Sequence, residues 1–279
     1  MGSDPAYSAG WLNDDRELEI EPSVVGALGH GGAEFDDDLA PYRAVLRRIA
    51  GNALQRLQQR CDILHQFKNE DPVRAYVVSI DIRKSTDLML KATQPQRFAE
   101  FLLQIWDGFR KIICKNLGVF DKFTGDGVLA HFPEFFSGPD AGYRAISSAA
   151  ECHALFDQQY CKNRDLFHTV LLDTGLGIGI DLGDVHLVEV NEELTVVGRP
   201  VVYACRFSGG PAGNTLLNQV AYEHLRDAYG QFVDFKEEVV DLKHEGRVRA
   251  YRVSLNRTKY NAVFPDWWGD DTPGVADEE

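Results

Sequence analysis

The stretches YVVSIDIRKST (residues 76–86) and FDKFTGDGVLAHF (residues 120–132) decide the fold prediction for this chain. Residues 75–80 form an apolar, β-branched run that predicts a buried strand ending near Asp81. The second stretch predicts two strands that fold back on each other around Gly125 and Gly127, with Asp126 between the two glycines. Both carboxylates are therefore predicted to lie near one edge of a sheet.

Two converging carboxylates predict a site for a pair of divalent cations. Hard oxygen donors such as those of Asp81 and Asp126 suit Mg²⁺ or Mn²⁺, and two ions about 3.5–4 Å apart can clamp the attacking and leaving oxygens in phosphoryl chemistry. A simpler interpretation is that Asp126 makes a turn and Asp81 ends a strand, which is the usual role of a single Asp at such places. The two interpretations have to be weighed together with the residues downstream.

The downstream segments TGLGIGIDLGDVHLVEV (residues 174–190) and LTVVGRPVVYACRFSGG (residues 194–210) predict a long strand, a β-arm and a short helix. In this order, all four segments resemble the catalytic domain of the class III nucleotidyl cyclases, and the resemblance runs from about Ala75 to Leu255. It implies a ferredoxin-like domain with a central, mostly antiparallel sheet and packed helices, acting as a head-to-tail homodimer. The alternation of strands, hairpins and helices also predicts an α+β fold.

The resemblance assigns roles to residues at matching positions. Asp81 and Asp126 match the metal aspartates, and the backbone of Ile82 would join a shell around two divalent cations, Mn²⁺ or Mg²⁺. Arg206 matches the catalytic arginine that neutralises charge on the α-phosphoryl oxygens. The implied reaction is attack of a ribose 3′ hydroxyl on the α-phosphorus of a nucleoside triphosphate, which expels pyrophosphate.

The resemblance also assigns the nucleotide base to Lys122 and Thr195. In this family, the two halves of each active site come from different protomers. The aspartates of one chain are therefore expected to act with Lys122, Thr195 and Arg206 of its partner, and a monomer is expected to be inactive.

The chain departs from the family pattern near the expected triphosphate. Family members often have Gly, Phe and Thr where this chain has Lys84, Ser85 and Thr86, which places a cation close to the phosphates. The family's late Lys-Gly-Lys-Gly segment appears as KHEG at residues 243–246, so only one of its two basic residues is kept. The residues predicted to hold the triphosphate are Ser85, Thr86, Lys243 and Arg247.

A second departure concerns the sugar and the base. The family's asparagine, one helical turn before the arginine, is replaced by Val202, which is followed by the bulky Tyr203. These changes and the DIRKST stretch favour the bacterial pyrimidine cyclases of the Pycsar antiphage defence system. Those cyclases make cyclic UMP or cyclic CMP, which opens a separate effector protein that damages the cell's own membrane. The favoured function is conversion of UTP to 3′,5′-cyclic UMP; the alternatives are a cytidylate cyclase, an adenylate cyclase and a catalytically inactive nucleotide-binding homologue.

Hydrogen bonding at the base does not choose among these alternatives. A cationic Lys122 only donates, whereas the Thr195 hydroxyl can donate or accept. Uracil fits through O4 and N3–H, but cytosine fits through N3 and its amine, and adenine through N1 and its amine. A pocket narrowed by one aromatic ring would exclude purines, and Tyr203 is the candidate for that ring, although a core aromatic is at least as good an interpretation.

Composition places the acidity of the chain at its two ends. Residues 1–40 carry ten acids against Arg16, and residues 261–279 carry six acids and no base, so a net charge of −14 leaves the rest at +1. A nearly neutral core is compatible with a basic triphosphate pocket and argues against nucleic acid as a ligand. The predicted organisation is an acidic flexible segment (1–40), an amphipathic helix (41–70), the cyclase domain (71–256) and an acidic tail (257–279).

The sequence contains no apolar run of membrane length and no signal peptide. We therefore expect a cytoplasmic protein without direct membrane insertion.

Overall fold

The protein is described by a computed structural model whose described residues are 37–191, 193–242 and 246–269. The predicted flexible segment lies almost entirely outside this range. The strands are β1 (Val73–Arg83), β2 (Val119–Thr124), β3 (Gly127–Pro133), β4 (Gly175–Val190), β5 (Glu193–Val197), β6 (Asn214–Leu217), β7 (Val233–Leu242) and β8 (Gly246–Leu255). The helices are α1 (Arg43–Leu46), α2 (Gly51–Leu57), α3 (Cys61–Gln66), α4 (Ser85–Lys91), α5 (Pro95–Lys115), α6 (Glu134–Ser137), α7 (Ala141–Lys162), α8 (Arg199–Ser208) and α9 (Gln219–Tyr229).

One eight-stranded sheet organises these elements. Its strand order is β2-β3-β1-β4-β6-β8-β7, with β5 paired to the outer part of β4. The β4–β6 pair is parallel and the other pairs are antiparallel, which confirms the α+β prediction of a mostly antiparallel sheet with packed helices. The predicted β-arm is the β4–β5 hairpin, in which Val188 lies opposite Thr195.

The two faces of β1 are buried against different layers. Tyr76, Val78 and Ile80 pack into a cluster with α5 and α7, whereas Ala75 and Val77 pack against the helices of residues 43–66 on the other face. Both faces are covered, so this strand reads as a continuous apolar run rather than an alternating one. Near the end of the strand, Asp81 and Arg83 are partly exposed, at the end of the sheet where several polar side chains lie.

The prediction of a single amphipathic helix over residues 41–70 is wrong, because this segment forms three short helices. Ala50 is extended (ψ 145°) and Arg60 is also non-helical, which ends α1 and α2 before the next helix begins. In the first break, the carbonyl of Arg48 accepts a hydrogen bond from the Phe120 amide at 2.9 Å. Pairing with β2 thus replaces a helical hydrogen bond, which hydrophobic periodicity cannot indicate.

Part of the predicted acidic tail belongs to the folded unit. Trp267 and Trp268 are each 4% exposed, and the indole of Trp267 donates to the carbonyl of Phe136 at 2.8 Å. Asp140, at the start of α7, accepts from the Val263 amide at 2.6 Å. The segment therefore runs from the start of α7, where Tyr260 and Val263 contact Asp140, to the layer of short helices, where the two tryptophans are buried. Residues 270–279 lie outside the described residues.

Among the described helices, none is both long enough and apolar enough to cross a membrane.

Candidate active site

A polar cavity of about 340 Å³ opens where β1 ends. Its lining brings together five of the residues predicted from the sequence and three others. The predicted ones are Asp81, Ile82, Ser85, Thr86 and Asp126, and the others are Arg83, Lys84 and Asp87. Residues from the end of β1, the start of α4 and the β2–β3 turn thus meet at one place. Their assignment to metal and triphosphate stays a prediction.

Asp81 is a partly buried carboxylate with charges of both signs around it. Burial is the main cause that raises its pKa above the ordinary value, and the nearby negative charge of Asp126 adds to the increase. The guanidinium of Arg83 pairs with the Asp81 carboxylate and opposes this effect. The two acids are therefore close enough to repel each other, as expected of carboxylates that share a cation.

The β2–β3 turn holds Asp126 against β1. Gly125 has a φ of +72°, a left-handed conformation that suits glycine, and a Cβ on Gly127 would lie 2.2 Å from the carbonyl oxygen of Ile80. The indole of Trp106 donates to the backbone carbonyl of Asp126 at 3.3 Å. The GDG sequence thus makes a tight turn, as the simpler interpretation required, but the same turn delivers the acid to the cavity.

The donors at this cavity fit a hard divalent cation whose shell is completed by other ligands. Within the part of the chain that the structure describes, no group of three or more His, Cys, Asp or Glu side chains could hold a metal ion. Asp81, Asp126 and the carbonyl of Ile82 are oxygen donors of the kind that Mg²⁺ and Mn²⁺ prefer. Mg²⁺ commonly takes one or two carboxylates and fills the remaining positions with water and substrate phosphates.

Lys84 occupies a backbone conformation that is unusual for its residue type. Its φ and ψ are 59° and 31°, in the left-handed region, where the resembled family often has glycine. Its ammonium group donates to the carbonyl of Leu172 at 3.0 Å and lies 3.7 Å from the carboxylate of Asp173. The Lys84 side chain therefore ties the start of α4 to the loop before β4.

Lys122 and Thr195 come together as the resemblance implies. Lys122 extends from β2 and Thr195 from β5, and the Lys122 ammonium lies 2.5 Å from the Thr195 hydroxyl oxygen. Sequence reasoning missed a third member, Asp121, whose carboxylate contacts both. An acid inside the apolar run before Lys122 was the available signal.

The helix α8 carries Arg206 and Tyr203. Tyr203 packs beside Phe207 in a cluster with residues of β7 and β8, and the guanidinium groups of Arg199 and Arg206 lie 5.2 Å and 5.7 Å from the centre of its ring. Tyr203 therefore lies toward the β7 end of the sheet, whereas Lys122 is on the opposite edge strand. Its role in narrowing a base pocket stays a prediction, since one chain does not bring the two together.

The structure describes only one of the two late basic residues. Lys243 lies outside the described residues. Arg247 is exposed on β8, directly opposite Asp241 of β7. Neither Arg206 nor Arg247 is among the described residues that line the cavity of Asp81 and Asp126.

Comparison with known proteins supports the fold. No protein-family model matches the chain, and no curated protein matches it. Solved structures do match: that of the adenylyl cyclase CyaB from P. aeruginosa is 21% identical with a TM-score of 0.58, over 68% of this chain and 98% of the chain in that structure. The guanylyl cyclase Cya2 is 21% identical with a TM-score of 0.57, over 67% of this chain and 95% of Cya2.

A third similar structure is the guanylate cyclase domain of RhGC from Catenaria anguillulae in complex with GTP. It is 17% identical with a TM-score of 0.55, over 68% of this chain and the whole of that domain. The described residues thus have the fold of the class III nucleotidyl cyclase catalytic domains.

Proposed function

We propose that the protein is a nucleotidyl cyclase that converts a nucleoside triphosphate to its 3′,5′-cyclic monophosphate and pyrophosphate. The observation that carries the proposal is the convergence of Asp81, Asp126 and the Ile82 backbone with Ser85 and Thr86 on one polar cavity. This cavity lies in a fold shared with proteins described as adenylyl and guanylyl cyclases.

The residues divide the work of the reaction by their chemistry. Divalent cations held by Asp81 and Asp126 would activate the 3′ hydroxyl and neutralise charge on the leaving pyrophosphate. Ser85 and Thr86 donate hydrogen bonds to phosphate oxygens, and Arg206 neutralises the charge that develops on the α-phosphoryl group. Lys122 and Thr195 hold the base and so orient the ribose.

A head-to-tail homodimer completes the site. In one chain, the cavity of the two aspartates is lined by residues 81–87 and Asp126, whereas Arg206 lies on α8 and the base-reading residues lie between β2 and β5. A twofold arrangement places the same surface of each copy against the other, so it supplies both sites at once. We therefore assign the aspartates and the base-reading residues of each site to different protomers.

For the substrate, we favour UTP over CTP and ATP. The resemblance of the DIRKST stretch to pyrimidine cyclases supports this choice. The fit of Lys122 to the uracil O4 and of Thr195 to N3–H agrees with it, although cytosine nearly matches that fit. Cyclic UMP made in this way would act as a messenger in antiphage defence and would be received by a separate effector protein. A cytidylate or adenylate cyclase and an inactive nucleotide-binding homologue are the outcomes that compete with it.

The test is to incubate the purified protein with Mn²⁺ and each of ATP, GTP, CTP and UTP separately, and to identify the products by mass spectrometry. Cyclic UMP as the main product is expected. Cyclic CMP or cyclic AMP as the main product would keep the cyclase and change its substrate. No product from any nucleotide, at any Mn²⁺ concentration, would contradict the cyclase and leave the inactive homologue.

A further inference from the structure

We propose that Asp121 is a positioning residue that fixes the hydrogen-bond direction of the base-reading pair, so that Thr195 presents only an acceptor to the base. The proposal rests on the proposed function, because it concerns the specificity of the same site. It assigns a role to a residue that touches neither the metal shell nor the base.

Asp121 is buried because β2 contains a bulge at its position. The pairing of β2 with β3 shifts register between Phe120 and Lys122, and Asp121 is 1% exposed. A bulge adds one residue to its strand and re-aims the side chains around it. The extra residue points the Asp121 carboxylate toward β5, while Lys122 remains about half exposed beside it.

Both carboxylate oxygens of Asp121 have partners on the neighbouring residues. The backbone amide of Val196 donates to Oδ1 at 3.0 Å. The hydroxyl of Thr195 lies 3.3 Å from Oδ2, and the ammonium of Lys122 lies 3.4 Å from the same oxygen. The carboxylate thus holds a backbone amide, a hydroxyl and a cation in one fixed arrangement.

The number of available protons fixes the direction of each hydrogen bond between Asp121, Lys122 and Thr195. Lys122 has three protons to donate and no lone pair, so the Thr195 oxygen accepts from it. The single hydroxyl proton of Thr195 cannot go to the lysine, and the Oδ2 oxygen of Asp121 is the acceptor within reach. One lone pair of Thr195 remains, and it can only accept a hydrogen bond from a base.

The fixed direction limits the base edges that can bind. The pair reads an edge with one acceptor, for Lys122, beside one donor, for Thr195. The uracil edge of O4 and N3–H has this pattern, whereas the cytosine edge of N3 and O2 presents two acceptors and is rejected. Cytosine must then use N3 with its exocyclic amine. Asp121 thereby turns an ambiguous hydroxyl into a defined one.

Arg48, from the layer of short helices, anchors both strands of this arrangement. It is 8% exposed, and its guanidinium donates to the carbonyl of Phe120 at 3.2 Å and pairs with the carboxylate of Glu193. Phe120 immediately precedes Asp121, and Glu193 lies two residues before Thr195. Burial raises the pKa of Asp121, while the charges of Lys122 and Arg48 and the Val196 amide oppose that increase and favour the carboxylate.

Asp121→Asn is the variant that separates this role from simple packing. Asparagine keeps an acceptor for the Val196 amide but presents an NH₂ group to Thr195 and Lys122, so the Thr195 proton must turn toward the base. We expect the KM for the preferred nucleoside triphosphate to rise about tenfold, the loss of one hydrogen bond, with a smaller change in kcat. In the variant both groups of the pair donate, so the N3 and O2 edge of cytosine becomes acceptable, and we expect the KM for CTP to rise less than the KM for UTP.

Two comparisons show whether the effect passes through Thr195. Thr195→Val removes the hydroxyl, so adding Asp121→Asn to it is expected to change KM no further. Asp140→Asn is the matched control, because Asp140 is another buried carboxylate that accepts from a backbone amide and from the hydroxyls of Tyr229 and Tyr260, away from this site. It is expected to lower the midpoint of thermal unfolding and to leave the nucleotide preference unchanged.

Each outcome decides the proposal. A wild-type KM and preference in Asp121→Asn, or an unchanged effect of Asp121→Asn in the Thr195→Val background, would overturn it. If wild-type protein turns over none of the four nucleotides, the proposed function fails. The role of Asp121 is then decided by calorimetric affinities of UTP, CTP and ATP for the same variants, and equal affinities in wild type and Asp121→Asn would contradict it.

Discussion

The cavity of Asp81 and Asp126, proposed to hold metal, and the pair of Lys122 and Thr195, proposed to read the base, are built in opposite ways. At the cavity, the negative charge of Asp126 helps to raise the pKa of Asp81 after burial, and the guanidinium of Arg83 pairs with the Asp81 carboxylate. At the pair, the carboxylate of Asp121 is already matched by an ammonium, a hydroxyl and a backbone amide. A bound cation would relieve the repulsion at the cavity, whereas the pair is already matched by groups of the same chain. Variants in the two regions are expected to fail in different ways.

The largest effect is expected at the cavity. Asp126→Asn keeps the shape of the side chain but removes a negative oxygen donor, so cyclase activity is expected to fall to background through loss of metal binding. Without metal, the variant is expected to be at least as stable as wild type, because the repulsion of Asp81 is relieved. Turnover with Mn²⁺ and thermal unfolding without it measure the two effects. Asp87→Asn, at the same cavity, is the control and is expected to retain activity.

The comparison would break if Asp126→Asn kept wild-type turnover, or if it unfolded at a much lower temperature than Asp87→Asn. The first result would remove the metal assignment. The second would show that the acid supports the turn more than the site.

A smaller effect is expected at Arg206. Within one chain, this residue lies neither at the cavity nor at the base-reading pair. Arg206→Lys keeps the charge but loses the planar guanidinium, so kcat is expected to fall about 100-fold with little change in KM. Steady-state kinetics measure this split. Arg199→Lys is the matched control, since both guanidinium groups lie near the ring of Tyr203 on the same helix. An increase in KM with kcat unchanged would assign Arg206 to ground-state binding instead.

At the base-reading pair, the expected effect is on affinity. Lys122→Met removes the donor to the base and leaves Asp121 with one partner fewer, so KM is expected to rise about tenfold or more while kcat changes less. Lys68→Met is the control, because Lys68 is also a partly exposed lysine beside the β-arm, paired with Glu189 at 3.7 Å. A loss of kcat as large as that of Arg206→Lys would place Lys122 in the chemistry rather than at the base.

The sequence predicts a feature of these regions when neighbouring residues in the chain determine it, and not when contacts between distant segments do. Asp81, Asp126 and the β-arm were predictable because hydrophobic runs and glycine turns mark strand ends. The acid before Lys122 is visible in the sequence, but the burial and the contacts of Asp121 and Arg48 are not, because they depend on a bulge and on a backbone contact between distant segments. The break of the 41–70 helix at Ala50 has the same origin. The docking of Trp267 also depends on tertiary contacts that composition does not indicate.

The smallest effect is expected for a buried acid that lies outside both regions. Burial raises the pKa of Asp181, on β4, to about 6, while the Leu182 amide and the charge of Arg199 oppose the increase. Because the folded pKa lies above the unfolded one, this group stabilises the protein at low pH, and the stabilisation is lost as the pH rises through 6. Asp181→Asn removes this dependence.

The stability of Asp181→Asn relative to wild type is therefore expected to increase with pH. The free energy of unfolding of the variant minus that of wild type is expected to be about 1 kcal/mol larger at pH 7.5 than at pH 5. Denaturant unfolding at the two pH values measures the difference. An equal difference at both pH values would contradict the buried, proton-binding carboxylate.

We infer that each active site combines the aspartates of one protomer with Arg206 of the other, and this arrangement can be tested by mixing two inactive variants. A heterodimer of Asp126→Asn with Arg206→Ala contains one site in which both residues are intact and one in which both are changed. Equal amounts of the two proteins, mixed and allowed to exchange, are expected to recover about a quarter of wild-type activity, since about half of the dimers are mixed. Activity that stays at the level of the separate variants after exchange would contradict the composite site.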